Sequence, residues 1–370
     1  MANISLKNFV DVNIQRSART KPLGTRTTAV ILTDEGEEGI ITGITKLTYT
    51  SLLSSYTQTS KYAQVFFANG GEMLDVITGV SYDTSDATAT SNTIAEIVSI
   101  LKELENEKIV VAFAWSDQTS ELTSYDVIKR VAQSMNSDTS VYGINEKIIL
   151  ARSVEATDID STKNFAVKYS SVIGAEMTIG AYLTQINVYG VNTIKDYAFT
   201  QETLDAEDID NTTFNYLIDN NYNVDIDLQG IVRNCGGNTK TSADSIVNLF
   251  ARIVLQQTLT ERLVTLLTSK VQSSDGISKM YATIVDELEY YRTNGFLTTD
   301  KIWEYDDWVS DDGIVVIEKG TPLLTGYQVK IAPFSSLTPT EKAQHKAPKV
   351  YVVLADQYSI RVIQVRGEVI

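Results

Sequence analysis

Apolar positions follow two rhythms along this chain, one of period two and one of three to four, and their alternation predicts the elements. Thr28 to Thr33 reads as a strand, followed by an acidic, glycine-containing turn from Asp34 to Gly39. The second part of Leu47 to Ala68 reads as a helix carrying Tyr56, Tyr62, Ala63, Phe66 and Phe67, and Asn69-Gly70-Gly71 stops it. Met73 to Thr78 is strand-like, and Asp83 to Ser91 is a Ser/Thr/Asp loop. The next helix starts at a capping-box pair, Thr93 and Glu96, with Ile94, Ile97, Val98, Leu101 and Leu104 in one stripe. Ile109 to Ala114 is apolar throughout, as a strand covered on both faces should be. Tyr125, Ile128, Val131, Ala132 and Met135 mark the inner face of a further helix, and Glu146 to Leu150 another strand. Strands and helices in this order predict an α/β unit whose sheet is at least partly parallel.

Beyond Asn164 the character changes. Phe165 to Ile186 is expected to be one long, weakly polar helix, with Gly174 and Gly180 placed for close packing. Asp205 to Asn223 is acidic and Asn-rich, with Phe214, Tyr216 and Tyr222 spaced through it. Val224 to Val232 reads as a strand and Gly236 to Thr239 as a turn. Two helices follow, Ala243 to Lys270 and Ile277 to Thr293, the second stopping at Gly295. Trp303 to Gly313 is expected to be an acidic, aromatic surface connection. There is no internal repeat and no low-complexity tract.

The two ends carry the least ordinary pattern. Near the start, Val10, Val12 and Ile14 share one face of an extended segment while Asp11, Asn13 and Gln15 share the other. This segment is either an arm or the first strand of a domain. Near the end come a strand at Tyr327 to Ile331, a short polar helix from Thr338 to Lys346, a break at Ala347-Pro348, and strands at Val350 to Ala355 and from Ser359 onward. The last run holds Ile360, Val362, Ile363, Val365 and Val369. A terminal strand of that composition needs a sheet to join, which makes it an assembly element.

Charge reinforces this reading. The chain of 370 residues carries a net −16, but residues 1–30 carry +4 and residues 321–370 carry +3, leaving −23 in between. Basic ends on an acidic body are expected to meet each other or an acidic partner, and that body repels nucleic acid. At this length two domains are expected. No run is long enough to span a membrane, and the start lacks a basic-then-apolar secretion signal.

Candidate chemistry is sparse. Cys235 is the only cysteine, so there is no internal disulfide and no thiolate metal site. His345 is the only histidine and lies in a basic helix. Gly79-Val80-Ser81-Tyr82-Asp83 lacks the second glycine of a nucleophile elbow, and Gly236 to Thr241 lacks the spacing of a phosphate loop. Asp306-Asp307 and Asp311-Asp312 do not fit a calcium loop. No catalytic, cofactor-binding or metal-ligating residue is therefore assigned.

From Asn164 to Leu297, and again from Tyr327 to Val369, the chain resembles contractile tail sheath proteins of phages and of phage-tail-like, R-type bacteriocins. The resemblance rests on the order and spacing of the Phe165–Ile186 block, Tyr197-Ala198-Phe199, Thr213 to Asn221, Gly236-Gly237, and Asn294-Gly295-Phe296-Leu297. It is densest at Ser335-Ser336-Leu337-Thr338-Pro339-Thr340-Glu341-Lys342-Ala343, Lys346-Ala347-Pro348 and Leu354-Ala355. Tyr62-Ala63 to Phe66-Phe67-Ala68 also fits. The chain departs from the family at Glu341-Lys342, where Asp-Arg is frequent, and at Asp356-Gln357-Tyr358 after Leu-Ala.

The resemblance implies an α/β (α+β overall) architecture: an N-terminal arm (1–20), an outer α/β domain (21–200), an inner mixed domain (201–355) built with both termini, and a C-terminal arm strand (356–370). It implies a homo-oligomer of stacked rings around an inner tail tube protein, with baseplate and tail terminator proteins as further partners and no cofactor. Val10, Val12, Ile14, Ile360, Val362, Ile363, Val365 and Val369 would be exchanged between subunits. The particle would be made in the host cytoplasm and contract to drive its tube through an envelope. Lys342, Lys346 and Lys349 are the candidate contacts to an acidic tube. A soluble α/β enzyme or binding module is the reading from a different class.

Overall fold

The computed structural model describes residues 27–105, 107–116, 121–137, 146–155, 162–186, 196–240, 245–266, 274–299, 301–310, 312–344 and 346–355. The chain runs β1 (Ala29–Thr33), β2 (Gly39–Ile44), α1 (Tyr49–Leu52), α2 (Thr57–Ala68), β3 (Leu74–Thr78), α3 (Ala87–Glu103), β4 (Val110–Ala114), α4 (Glu121–Ser137), β5 (Ile148–Ser153) and β6 (Phe165–Tyr169). It continues through α5 (Met177–Thr184), α6 (Asn211–Asp219), β7 (Asn223–Asp227), β8 (Val232–Cys235), α7 (Ile246–Leu266) and α8 (Ser274–Thr293).

These strands form one sheet in the order β2-β3-β1-β4-β5-β6-β7-β8. The inner six are parallel, while β2 and β8 pair antiparallel at the two edges. Alternate residues of each strand face opposite layers, which gives two cores. Ala29 and Ile31, Val110 and Ala112, and Ile148 and Leu150 pack under α2, α5 and the first half of α7. Val30 and Leu32, Val111 and Phe113, and Ile149 and Ala151 pack under α3, α4 and α6. The predicted α/β class with a partly parallel sheet is the one observed. The sheet does not stop at residue 200, where the sequence reading divides the chain, because β7 and β8 belong to it.

Four expectations need correction. The Phe165–Ile186 block is a strand and a short helix: Phe165–Tyr169 is buried between β5 and β7, and Gly174 turns the chain with φ +79°. A Cβ on Gly174 would lie 3.0 Å from Tyr62 Cα, whereas Gly180 does have the packing role expected of it, against Leu150 and Val110. Helix α3 starts seven residues early, because Asp86 caps it by accepting from the Thr88 and Ala89 amides; Thr93 lies within the helix and its hydroxyl bonds to Asp83. Val224–Val232 is two strands joined at a turn containing Gln229 and Gly230, both at positive φ.

The fourth correction concerns Trp303 to Gly313, which is not a plain surface connection. With β9 (Lys301–Ile302), β10 (Trp308–Val309), β11 (Val315–Ile317) and β12 (Pro322–Leu323), it forms an interrupted hairpin. After it come β13 (Tyr327–Ile331), α9 (Pro339–Ala343) and β14 (Val350–Leu354). Trp303, Val316, Ile317, Leu323, Val353 and Leu354 join Leu255, Leu259, Ile284 and Leu288 in a third core. Helix α7 therefore supplies the first core with its first half and the third with its second.

Candidate inter-subunit site

Strands β13 and β14 make a two-stranded antiparallel sheet, pairing Tyr327 with Leu354 through Ile331 with Val350. The Ala332 amide donates to Lys349 O at 2.9 Å and the Ala355 amide to Gly326 O at 2.8 Å. In an antiparallel ladder, bonded and non-bonded pairs alternate. Gln328–Val353 and Lys330–Tyr351 are therefore bonded pairs, and Val329, Ile331, Val350, Val352 and Leu354 turn their amides and carbonyls outward. Among the described residues, neither outer edge meets another strand. Both faces contribute to the third core, one through Val329, Val350, Val352 and Leu354 and the other through Tyr351 and Val353. Tyr327 ties the sheet to α8 by donating to Glu289 Oε1 at 2.6 Å, and Gln328 Nε2 donates to Val316 O at 2.8 Å. Burial and the Glu289 charge raise the Tyr327 phenol above its ordinary pKa. The result is an anchored sheet whose two outer edges are open among the described residues, a surface suited to strand addition.

Between these strands, α9 begins at a capping box. The Glu341 amide donates to Thr338 Oγ1 while the Thr338 amide donates back to Glu341, and Pro339 occupies the first turn. Those bonds hold the Glu341 carboxyl below its usual pKa. The helix is shorter than predicted, ending at Ala343. Its three candidate lysines differ in setting. Lys342 Nζ lies 5.4 Å from the Phe334 ring centroid, and Lys346 is exposed beyond the helix. Lys349 pairs with Asp312 at 2.7 Å, and Tyr351 also donates to that carboxylate. The arm residues Val10, Val12, Ile14, Ile360, Val362, Ile363, Val365 and Val369, and also His345, lie outside the described residues.

Sequence reasoning missed a buried polar network on the large sheet. Lys168 of β6 donates to Asp225 of β7 at 2.6 Å, to Asn234 of β8 at 3.1 Å and to the Tyr197 hydroxyl at 3.2 Å. Tyr197 donates in turn to Glu202, and its oxygen also meets the Thr178 hydroxyl at 2.8 Å. Burial, with the Asp225 charge adding to it, raises the Glu202 pKa against the pull of Lys168. Tyr197, Glu202 and Thr178 line a cleft of about 680 Å³, but their polar atoms are engaged with one another. The only sequence signal was a lysine at an inward position of a strand.

A doubly wound sheet commonly takes ligands outside the carboxyl ends of its strands, where strand order reverses. Here that point lies between β1 and β4, and the chain's own carboxylates fill it. Asp34 accepts from the Ser116 amide and hydroxyl at 2.7 and 2.6 Å. Glu35 accepts from the Gln58 and Thr59 amides and the Thr59 hydroxyl, so it neutralises the start of α2 where an anion would otherwise sit. Among the described residues no group of three His, Cys, Asp or Glu is placed to hold a metal ion.

Such a molecule is a doubly wound α/β body with a β-rich annex that ends in an open sheet. No protein-family model and no curated protein matches the chain by sequence. Solved structures do match its fold. A chain of the anti-feeding prophage baseplate, 6-fold symmetrised, superposes with TM-score 0.67 at 15% identity, over 97% of this chain and 98% of that one. A chain of the PVC sheath complex of an extracellular contractile injection system, in its contracted state, gives 0.61 at 12% identity over 97% and 96%. A chain of the anti-feeding prophage helical sheath in contracted state gives 0.60 at 14% over 97% and 98%. The fold is that of contractile sheath proteins, from the first described strand to the open sheet.

Proposed function

We propose that this chain is a structural subunit of a contractile sheath, not an enzyme, in a phage-tail-like particle made in a bacterial cytoplasm. The observation that carries the reading is the anchored sheet β13–β14, whose two outer edges meet no other strand among the described residues, set in a fold shared along almost the whole chain with sheath proteins. The outward amides of one subunit take up strands from its neighbours: the segment of Val10, Val12 and Ile14, and the segment of Ile360, Val362, Ile363, Val365 and Val369. Burying three such β-branched residues yields about 1.5–3 kcal/mol each. Ordering the arm costs about 1–2 kcal/mol per residue, so a single arm docks close to neutrality. Many arms in one lattice become effectively intramolecular and hold. Rings of subunits stack around an inner tube, joined to baseplate and terminator proteins at the ends.

Lys342 and Lys346 are the proposed contacts to an acidic tube, with Lys349 positioning the β14 end of that segment through Asp312. The filled crevice at the β1–β4 switch point weighs against a soluble nucleotide-using enzyme. Electron microscopy of the purified protein tests the reading: sheath-like tubes are expected. Deleting residues 359–370 should abolish tubes while circular dichroism stays native. Discrete particles from the intact chain under every templating condition would overturn it.

A further inference from the structure

The eight-stranded sheet ends differently at its two sides. Residues 199–202 lie along the outer edge of β8: the Phe199 amide donates to Asn234 O at 2.7 Å, the Asn234 amide to Thr200 O at 3.0 Å and the Glu202 amide to Val232 O at 3.1 Å. The opposite edge strand is β2, and among the described residues nothing pairs with its outer side. Its sequence, Gly39-Ile40-Ile41-Thr42-Gly43-Ile44, is rich in β-branched residues, and Ile40 is 63% exposed. Exposed Glu37 and Glu38 precede the strand and exposed Lys46 follows it, so two antiparallel copies of this edge would bring unlike charges together.

A bulge interrupts that edge. Ile41 stands opposite Val76 and Ile44 opposite Leu74, so Thr42 and Gly43 together face Asp75 alone. Gly43 turns through φ +67°, and its amide donates to Asp75 Oδ1 at 2.8 Å. Lys108 Nζ holds the other oxygen of Asp75 at 3.1 Å, with most of both side chains out of water. Packing does not require the extra residue. Ile41 and Ile44 both meet the first core, three positions apart, whereas neighbours on one face of a straight strand are two apart. With one residue fewer, the same two isoleucines would fall two apart, as Val76 and Leu74 do. A straight β2 would fill the core equally well. A Cβ on Gly43 would meet nothing within 4 Å, so the glycine is there for its backbone angle and not for space.

We infer that the bulge at Thr42 and Gly43, locked by Asp75 and Lys108, is a guard: it twists the outer edge of β2 so that it cannot pair with β2 of a second copy. One edge of the large sheet is closed by a covering segment and the other by its shape. The inference stands apart from the sheath reading. Where that reading holds, the guard leaves β13 and β14 as the edges that take up strands.

Deleting Gly43 from the full chain tests this, at concentrations where the wild type sediments as a monomer. The deletion variant should fold, by circular dichroism and urea unfolding, and should sediment as a dimer. Hydrogen exchange of its β2 amides should slow at least about tenfold as concentration rises. Adding Ile40→Lys to the deletion should return a monomer with fast-exchanging β2 amides, because a lysine on each edge sets like charges against each other. Ile40→Lys alone should leave both readouts unchanged. A folded deletion variant that stays monomeric, or a dimer whose β2 amides exchange as fast as in the wild type, would overturn the proposal. Failure to fold, whether Gly43 or Thr42 is removed, would overturn it too, since the bulge would then serve the subunit's own packing. Tube formation enters none of these readouts, so failure here is separable from failure of the sheath reading.

Discussion

Lys168 Nζ stands 2.6 Å from Asp225 Oδ1 across β6 and β7, next to the β8 edge of the large sheet, with both side chains out of water. The pair fixes β6 against β7, while Asn234 and Tyr197 complete the lysine's donors. Lys168→Met removes one partner and strands Asp225 and Glu202 in the interior, so a loss of about 3–5 kcal/mol is expected. Lys168→Met/Asp225→Leu should recover part of that loss, because the second change removes the abandoned charge. Urea unfolding of both variants is the measurement.

Lys147, fully buried ahead of β5, donates to Glu105 O at 2.9 Å at the end of α3. Burial lowers its pKa to about 7, with the Lys108 charge adding to the effect and Glu105 opposing it. The folded state then binds fewer protons than the unfolded state between pH 7 and the ordinary lysine range. Stability should therefore rise with pH across that window, by about 2 kcal/mol from pH 7 to 9. In Lys147→Met this part of the slope should vanish. Identical slopes for the two proteins would refute the assignment.

Gly236 and Gly230 both lie at positive φ, 118° and 84°. A Cβ on Gly236 would fall 2.6 Å from Tyr222 O, beside Asn223, whose side chain holds Val167 O, Asn238 O and the Gly237 amide. One on Gly230 meets nothing within 4 Å. Gly236→Ala should cost at least about 2 kcal/mol, and Gly230→Ala about 1 kcal/mol, in thermal unfolding.

Val352 sends its amide to the outer edge of β14, so Val352→Pro removes a donor that no described strand uses. The isolated subunit should fold normally by circular dichroism, and tubes should be lost. Gln328→Pro, which removes a donor inside the ladder, should instead damage the subunit itself. If Val352→Pro assembled as well as wild type, that edge would not be the one filled.

Legibility in the sequence followed from how local each cause is. The run Val110 to Ala114 declares itself because a strand covered on both faces has no polar position to disguise it. Helix α8 and its stop at Gly295 are equally local. Phe165 to Tyr169 reads as helix because five residues carry little periodicity, and the turn that follows them depends on Tyr62, far off in the chain. Asp86 does not declare itself as a cap, because the Ser/Thr-rich turn after it shows no apolar stripe and the sequence pattern places the helix start where the stripe begins. The Lys168 network is illegible in principle, since its partners lie 29, 57 and 66 residues away and look like ordinary surface groups. The open edges of β13 and β14 were half legible: their composition was visible, but which backbone groups point outward depends on the pairing register.

Helix α7 runs for 21 residues, about 31 Å at 1.5 Å per residue, and is buried on all sides from Ile246 to Thr260. Because one unbroken rod is gripped at both ends, a pull on the annex is felt by the large sheet without a joint to absorb it. Heat should release body and annex together, in a single calorimetric transition. A subunit built this way works as a stiff link in a chain, and whatever bends under load must bend outside it.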